Sequence, residues 1–277
     1  MKKLPLFLLI GAAAPFSRAA LLVSENFSGY TAGTAPVTGS YLPTQAVQGG
    51  STGLSGTWAS GDAYAWVANT GDLAAPANTG VLADAGGQRV VFSGGATPSA
   101  YATVTSPITT VNNTVYVSFV AQLVAGGGLW LQNGAATVLR LGTNNGSNWG
   151  ISDGTTAQNA TGTVSGTASF LVYAITFGAS GGANDSVSLF VNPDANGQPG
   201  IATATWTGLS LNDSSINRVV VRGGSNNTSN QFDNLRIGTT YADVAAVPEP
   251  STYGLLGAGA LGAVSFVRRR RSRFGAR

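Results

Sequence analysis

Oxygen-bearing side chains occupy alternate positions in the segment 192–197, which reads Asn-Pro-Asp-Ala-Asn-Gly. Alternating oxygen ligands ahead of a glycine are typical of the first half of a calcium loop. Asp194 and Asn196 are therefore candidate calcium ligands, with Asp233 as a third. However, Thr203 stands at the twelfth position, where such a loop places a bidentate acid. Asx turns in a hairpin loop explain Asp194 and Asn196 without a metal. Capping of local backbone, or pairing with Arg236, explains Asp233 in the same way.

Two of the five tryptophans are candidates for stacking against a sugar ring. Trp130 lies between Leu129 and Leu131, so its indole points away from the core if both leucines point into it. Trp206 ends a strand-like segment, 202–206, that has little other apolar content. Large aromatic side chains also fill the core of a sandwich or cover it under loops, and this is the alternative for both residues.

Catalysis by paired carboxyl groups has weak support in residues 20–247. Retaining glycosidases hold two carboxyl groups about 5–5.5 Å apart. Glu25 is the only glutamate in this region, and no two of its acids lie two or four positions apart along the chain. Histidine and cysteine chemistry is also excluded, because the chain contains neither residue. We therefore predict no enzyme activity, although distant aspartates can still converge in space.

The positive charge of the chain lies at its two ends. Residues 20–247 contain five arginines, no lysine and ten acids, which gives this region a net charge of −5. Nucleic-acid binding requires a clustered basic face, and the acidic balance predicts none. The sequence therefore indicates a body without a nucleic-acid partner. Burial alone must stabilise it, because no disulfide can form.

Residues 1–19 have the three parts of a secretory signal peptide. Lys2 and Lys3 form a positive start, residues 4–14 are largely apolar, and Ser17 and Ala19 supply small residues at a cleavage site. We therefore expect the secretion machinery to export the chain and to remove this segment.

Three chemically different blocks end the chain in a fixed order. A Pro-Glu-Pro motif precedes an apolar run at 253–267, and a cluster of four arginines follows. The motif and the cluster consist of Pro248, Glu249 and Pro250, then Arg268, Arg269, Arg270 and Arg271. This order resembles the PEP-CTERM sorting tail of exported bacterial proteins. The resemblance implies that a membrane-embedded, transpeptidase-like exosortase processes the protein near the Pro-Glu-Pro, whereas the alternative is an ordinary single-span anchor.

The apolar run 253–267 predicts a short transmembrane helix. Its fifteen residues span about 22 Å as a helix, against a hydrocarbon core of about 30 Å. The run suits a transient anchor in the inner membrane, with the arginine cluster in the cytoplasm and the body outside. Residues 247–277 are thus expected to act as a sorting tail, after which the body reaches the cell-envelope surface or the extracellular matrix.

Residues 20–246 are predicted to form an all-β body. Apolar residues alternate at 115–119, as in a strand with one buried face, and both faces of 170–177 are apolar, as in a central strand. Asn-Gly and Asp-Gly pairs that begin at 133, 145 and 153 predict a meander of three strands. The composition of the segment 30–95 predicts long loops and edge strands that lie over one face of the body. Together these patterns predict a two-sheet antiparallel jelly-roll sandwich, with helix only in the signal peptide and the tail.

Three segments of the body resemble strands of concanavalin A-like, laminin-G-like jelly rolls: 22–27, 187–193 and 232–244. The resemblance implies two packed antiparallel sheets whose first and last strands are neighbours. The family includes carbohydrate-binding modules and laminarinase-type glycosidases. In the laminarinase-type pattern two glutamates bracket an aspartate on one strand, and this chain has no such triplet.

Three functions remain open. The first is a non-catalytic cell-surface or matrix protein, delivered by its tail and associated with exopolysaccharide. The second is a lectin-like module that binds a defined glycan with or without calcium. The third, which the residues favour least, is a glycoside hydrolase or polysaccharide lyase.

Overall fold

The computed structural model describes the body of the chain with short gaps. The described residues are 20–33, 41–48, 51–62, 65–68, 71–76, 79, 87–92, 98–124, 126–143, 148–163, 165–179, 182–194, 199–211, 215–224 and 229–245. The predicted signal peptide, the predicted tail with its transmembrane segment, and Asn196 all lie outside these ranges. Within them, no helix has the length and apolar character needed to cross a membrane.

The described residues form two antiparallel sheets and one short helix. The eight-stranded sheet has the order β13-β12-β11-β6-β15-β4-β3, with β1 paired to β15. Its strands are β1 Leu21–Glu25, β3 Ala65–Ala68, β4 Arg89–Phe92, β6 Thr114–Gln122, β11 Ser169–Thr176, β12 Asp185–Val191, β13 Ala204–Leu209 and β15 Gln231–Gly238.

The seven-stranded sheet has the order β10-β9-β8-β7-β14-β5-β2. Its strands are β2 Leu54–Asp62, β5 Ser99–Ile108, β7 Gly127–Asn133, β8 Ala136–Thr143, β9 Trp149–Ser152, β10 Ala157–Asn159 and β14 Ile216–Gly223. The helix α1, Tyr241–Ala245, follows β15. The predicted meander is confirmed as β7, β8 and β9, which pair in sequence.

One apolar core lies between the two sheets and takes side chains from both. Phe119 of β6 stacks on Tyr173 of β11, with ring centroids 5.9 Å apart, and on Phe232 of β15 at 4.9 Å. The Tyr173 hydroxyl donates a hydrogen bond to the carbonyl of Gly150 in the other sheet, at 3.2 Å. The predicted two-sheet sandwich is therefore confirmed.

The two apolar faces of β11 enter two different clusters. Leu171 and Ile175 point into the main core. Phe170 and Val172 lie on the outer face of the eight-stranded sheet, where α1 covers them. The predicted central strand is confirmed, since β11 pairs with both β6 and β12. The second apolar face exists because a helix, rather than solvent, packs against it.

The segment 30–95 differs from its predicted position over one face. Its strand β2 lies at one edge of the seven-stranded sheet, whereas β3 and β4 lie at an edge of the eight-stranded sheet. Residues 41–48 join these edges, because the Leu42 amide bonds to the carbonyl of Ala65 and the Thr44 amide to that of Trp58. The segment therefore closes one side of the sandwich.

Candidate functional site

One row of directly paired residues crosses all seven strands of the seven-stranded sheet. The row runs from β10 to β2 as Ala157, Ser152, Arg140, Trp130, Val220, Tyr101 and Ala59. Leu129 and Leu131, on either side of Trp130, are fully buried in the core. Because side chains alternate along a strand, Trp130 points to the outer face. Its predicted orientation is therefore the observed one.

Two guanidinium groups cover the indole of Trp130. The Cζ atom of Arg140 lies 4.0 Å from the ring centroid, and that of Arg222 lies 4.3 Å from it. Arg140 belongs to β8 and Arg222 to β14, the two strands that flank β7. The two cations therefore approach the ring from opposite sides. Such contacts contribute about 0.5–1 kcal/mol each at exposed sites.

A third arginine extends this arrangement along the same face. The Cζ atom of Arg218 lies 4.3 Å from the ring centroid of Tyr101, and its guanidinium donates a hydrogen bond to Gln132 Oε1 at 3.4 Å. Three of the five arginines in residues 20–247 thus share one surface, which we call the arginine–tryptophan face. The acidic balance of the sequence predicted no basic cluster, and this expectation is corrected.

A row of glycines leaves the neighbouring part of the same face without side chains. Gly128, Gly142 and Gly150 are directly paired across β7, β8 and β9. A Cβ on Gly128 would collide with the Leu141 carbonyl oxygen, and one on Gly142 would collide with that of Gly127. Their φ angles of +132° and +144° add strain for any other residue. The sheet geometry therefore requires glycine there and leaves a depression in the surface.

The depression forms a cavity of about 320 Å³ beside Trp130. Arg140 and Arg222 line it, and so does Thr143, whose side chain is only 4% exposed. The hydroxyl of Thr143 and the Nε of Arg140 are both buried without a hydrogen-bond partner. No carboxylate stands among the described residues that line the cavity. The site thus offers positive charge, whereas these two atoms have almost no accessible surface and do not open into the cavity.

The two predicted stacking residues lie on different sheets. Trp206 is in β13, an edge strand of the eight-stranded sheet, and its side chain packs against the main core. It pairs with Val187, which is fully buried, so both side chains face inward. Trp130 faces outward, but arginines cover both sides of its ring. Glycan stacking by either residue stays a prediction, and the two do not share one site.

The predicted calcium ligands carry other contacts in the structure. The backbone carbonyl of Asp194 accepts a hydrogen bond from the Tyr241 hydroxyl at 2.6 Å. Burial, together with the Asp194 charge, raises the pKa of Tyr241 to about 12. Asp233 is fully buried, and its carboxylate accepts bonds from the amides of Leu73 and Asn234. No group of three or more acids is clustered within the described part of the chain. The calcium site stays a prediction.

The three arginines of the face could have been found in the sequence. Leu139-Arg140-Leu141 has the same alternation as Leu129-Trp130-Leu131, and Arg218 and Arg222 are four positions apart in a β-branched run. Each pattern places an arginine outward on its own strand. The sequence does not show that β14 pairs with β7, and this pairing brings the arginines and Trp130 together.

Several solved structures resemble the chain at low identity. The T. cruzi calreticulin globular domain is 15% identical, with 77% of this chain and 95% of that chain covered and a TM-score of 0.45. An endo-1,3-beta-glucanase from Streptomyces sioyaensis is 13% identical, with 82% and 99% covered and a TM-score of 0.40. An endo-beta-1,4-glucuronan lyase from the fungus Trichoderma reesei is 10% identical, with 65% and 93% covered and a TM-score of 0.37.

Among curated proteins no sequence matches the chain. Residues 246–271 match the PEP-CTERM protein-sorting motif. The match includes the Pro-Glu-Pro and the four arginines, and it begins one residue after α1 ends at Ala245. The predicted resemblance of the tail is thereby confirmed. The chain therefore carries a PEP-CTERM protein-sorting motif, which indicates an exported protein that is sorted through its C-terminus.

Proposed function

We propose that this chain is a non-catalytic protein of the cell surface or extracellular matrix that associates with exopolysaccharide. An exosortase-type enzyme in the membrane receives its tail, and the β-sandwich body is the part that meets the polysaccharide. The observation that carries the proposal is the cavity on the arginine–tryptophan face, which two arginines line and whose described lining residues include no carboxylate. Such a surface can hold a ligand, and its described residues offer no acid–base pair to hydrolyse it.

The buried carboxylates of the body support a non-catalytic role, because each of them holds backbone or hydroxyl groups. Asp185 accepts hydrogen bonds from the amides of Gly178 and Leu211, at 2.8 and 2.7 Å. Asp233 fixes the amide of Leu73 in the same way. Glu25 accepts hydrogen bonds from the Phe27 amide and from the hydroxyls of Tyr30 and Ser51. Carboxylates with these partners stabilise loops and are not directed at a shared substrate.

The sorting step is tested with the full chain in its own cells. Replacing Pro248, Glu249 and Pro250 together with alanine should leave the tail attached and hold the protein in the inner membrane. Thr252→Ala, which lies outside the Pro-Glu-Pro, is the matched control. Mass spectrometry of the C-terminus in the envelope and membrane fractions reads out the result. Normal processing of the triple variant would contradict the assignment of the motif.

The role of the body is tested with the exported protein on immobilised polysaccharides. We expect retention without turnover, whereas release of reducing ends or of unsaturated uronate product would show a hydrolase or a lyase. A chelator separates the alternative of a calcium-dependent lectin-like module. Retention that disappears with chelator would favour the predicted ligands Asp194, Asn196 and Asp233 over the arginine–tryptophan face.

A further inference from the structure

We propose that the open edge of β13 pairs with the same strand of a second copy of this chain, so that two bodies share one continuous sheet. The edge belongs to the eight-stranded sheet, whereas the arginine–tryptophan face lies on the other sheet. Self-association at β13 is therefore independent of the proposed binding to polysaccharide, and either of the two can fail without the other.

β13 is an outer strand of its sheet, and within the described residues it pairs with β12 alone. In an antiparallel ladder, alternate residues direct their N–H and C=O groups to one neighbouring strand, and the residues between them direct theirs to the opposite side. Alternate backbone groups of β13 therefore point away from β12. Such an edge is a template on which another strand can pair.

The other outer strands are short or covered, as protected edges are in native proteins. Among the described residues, Gly33 and Tyr41 form bridges to β3, and Ala46 forms one to β2. β10 has only three residues. β13 has six residues and contains no proline, and its one bulge, at Gly208, leaves residues 204–207 in regular register with β12. In the described part of the chain, β13 is thus the least protected outer strand.

The distribution of charge favours a second copy as the partner. No acidic or basic residue occurs in the segment 195–212. On β6, β11 and β12, the strands next to β13, the only charged residue is Asp185, which is 1% exposed and accepts bonds from two amides. A charged peptide therefore finds no counter-charge at this edge. Two bodies of net charge −5 can meet here without opposing charges in contact.

The exposed side chains of β13 are threonines, and rows of hydroxyl groups continue them across the sheet. The hydroxyls of Thr205 and Ser188 lie 3.2 Å apart. One row of directly paired residues runs from β13 to β6 as Thr207, Ser186, Thr176 and Thr114. A second copy that pairs through β13 extends such rows across the junction, and threonine pairs across strands are favourable.

The symmetry of the pairing limits its register. A two-fold axis between antiparallel copies brings one residue opposite its own counterpart, because residues that face each other point to the same side of the sheet. The middle of the regular stretch 204–207 lies between Thr205 and Trp206, so one of these two residues is at the axis. With Thr205 at the axis, Thr205 meets Thr205; with Trp206 at the axis, Thr205 meets Thr207.

Ile201 supplies an apolar contact beside the paired strands. Its side chain is 98% exposed, and it precedes the first residue of β13 by three positions. Either register brings Ile201 of one copy beside residues 209–211 of the other, where Leu209 and Leu211 lie. Pairing therefore removes apolar surface from water in addition to satisfying backbone groups.

Sedimentation velocity of the exported protein over a range of concentrations tests the association. We expect an equilibrium between monomer and dimer. Replacing Thr205 and Thr207 together with lysine places lysine opposite lysine in both registers and should raise the dissociation constant by about tenfold or more. Ile201→Asn should raise it by about three- to tenfold, because less apolar surface is buried.

The matched control replaces Thr103 and Thr105 with lysine. These exposed residues have the same spacing but lie on β5, which is flanked by two strands of the other sheet. Both lysine pairs change the charge of the body equally, and lower negative charge by itself favours association. Weakening by the β13 pair alone therefore supports the edge. A monomer at every concentration, or equal weakening by both pairs, would overturn the proposal, and circular dichroism verifies that each variant is folded.

Cysteine cross-linking then identifies the register. The chain contains no cysteine, so a single introduced cysteine can pair only with one in another copy. Opposed Cα atoms in a ladder are about 4.5–5.5 Å apart, which suits a disulfide. Thr205→Cys should cross-link with itself, or else with Thr207→Cys in a mixture, whereas Thr103→Cys should not cross-link. A wild-type dimer without either β13 cross-link would show a different interface and overturn the proposal.

Discussion

Glu25 should make the protein less stable as the pH rises through the acidic range. Its side chain is only 1% exposed, and burial raises the pKa of its carboxyl above the ordinary value of 4.5. The hydroxyls of Ser51 and Tyr30 and the Phe27 amide donate to this carboxyl, at 2.6, 2.7 and 2.7 Å. These bonds lower the pKa but do not cancel the effect of burial. The carboxyl therefore holds its proton more tightly in the folded chain than in the unfolded one.

The sign of the pH dependence follows from this difference. Between the ordinary and the raised pKa the folded state binds more protons than the unfolded state, so the free energy of unfolding falls as pH rises. The contribution is complete below the unfolded pKa and is lost as pH rises through the folded pKa. One proton gives a slope of at most about 1.4 kcal/mol per pH unit. Above the pKa of Glu25 in the folded state, the contribution of this carboxyl to the free energy of unfolding no longer changes with pH.

The assay is urea unfolding of wild type and Glu25→Gln at a series of pH values, followed by tryptophan fluorescence. Trp58 is a suitable reporter, since its indole N–H donates to the Tyr30 hydroxyl at 2.9 Å. The free energy of unfolding of wild type minus that of the variant should fall from about pH 4.5 upward and then level off. Ser51→Ala removes a bond that lowers the pKa, so its decline should continue to higher pH. A wild-type-minus-variant difference that stays constant, or that grows with pH, would refute the reasoning.

Three further predictions concern the core and the bare part of the arginine–tryptophan face. Phe119→Ala should lower the free energy of unfolding by about 3–5 kcal/mol in urea titrations, because the ring is fully buried and stacks on Tyr173. Tyr173→Phe should cost about 0.5–1.5 kcal/mol in the same assay, since it removes the hydroxyl bonded to the Gly150 carbonyl of the other sheet. Gly142→Ala should lower the melting temperature more than Gly134→Ala. Both glycines have positive φ, but only at Gly142 would a Cβ collide with a neighbouring strand.

Much of the fold could be predicted, because the alternation of apolar residues along a strand indicates which side chains are buried. Val115, Val117 and Phe119 share one face in the sequence, and all three are fully buried in the core. The helix α1 could not be predicted, since five residues are too few to show a helical period. Its position depends on contacts that are distant in sequence, such as the bond from the Ser118 hydroxyl to the Val244 carbonyl at 2.7 Å.

The candidate site was less predictable than the strands that form it. The sequence indicates that Trp130 faces outward, but it does not indicate that β14 pairs with β7, whose directly paired residues lie 86 to 96 positions apart. That pairing brings Arg222 to the ring of Trp130. A net charge is a sum over the body, so it conceals how the charges are distributed.

The arginine–tryptophan face and the attachment of the tail lie on opposite sides of the sandwich. The two sheets pack through their inner faces, so their outer faces point in opposite directions. Tyr241 and Val244 of α1 pack on the outer face of the eight-stranded sheet, and the sorting motif begins at the residue after Ala245. Arg140 and Arg222 lie on the outer face of the other sheet. In the proposed function, in which the tail holds the chain at the membrane, the face that we assign to polysaccharide therefore lies at the far side of the body from the attachment point.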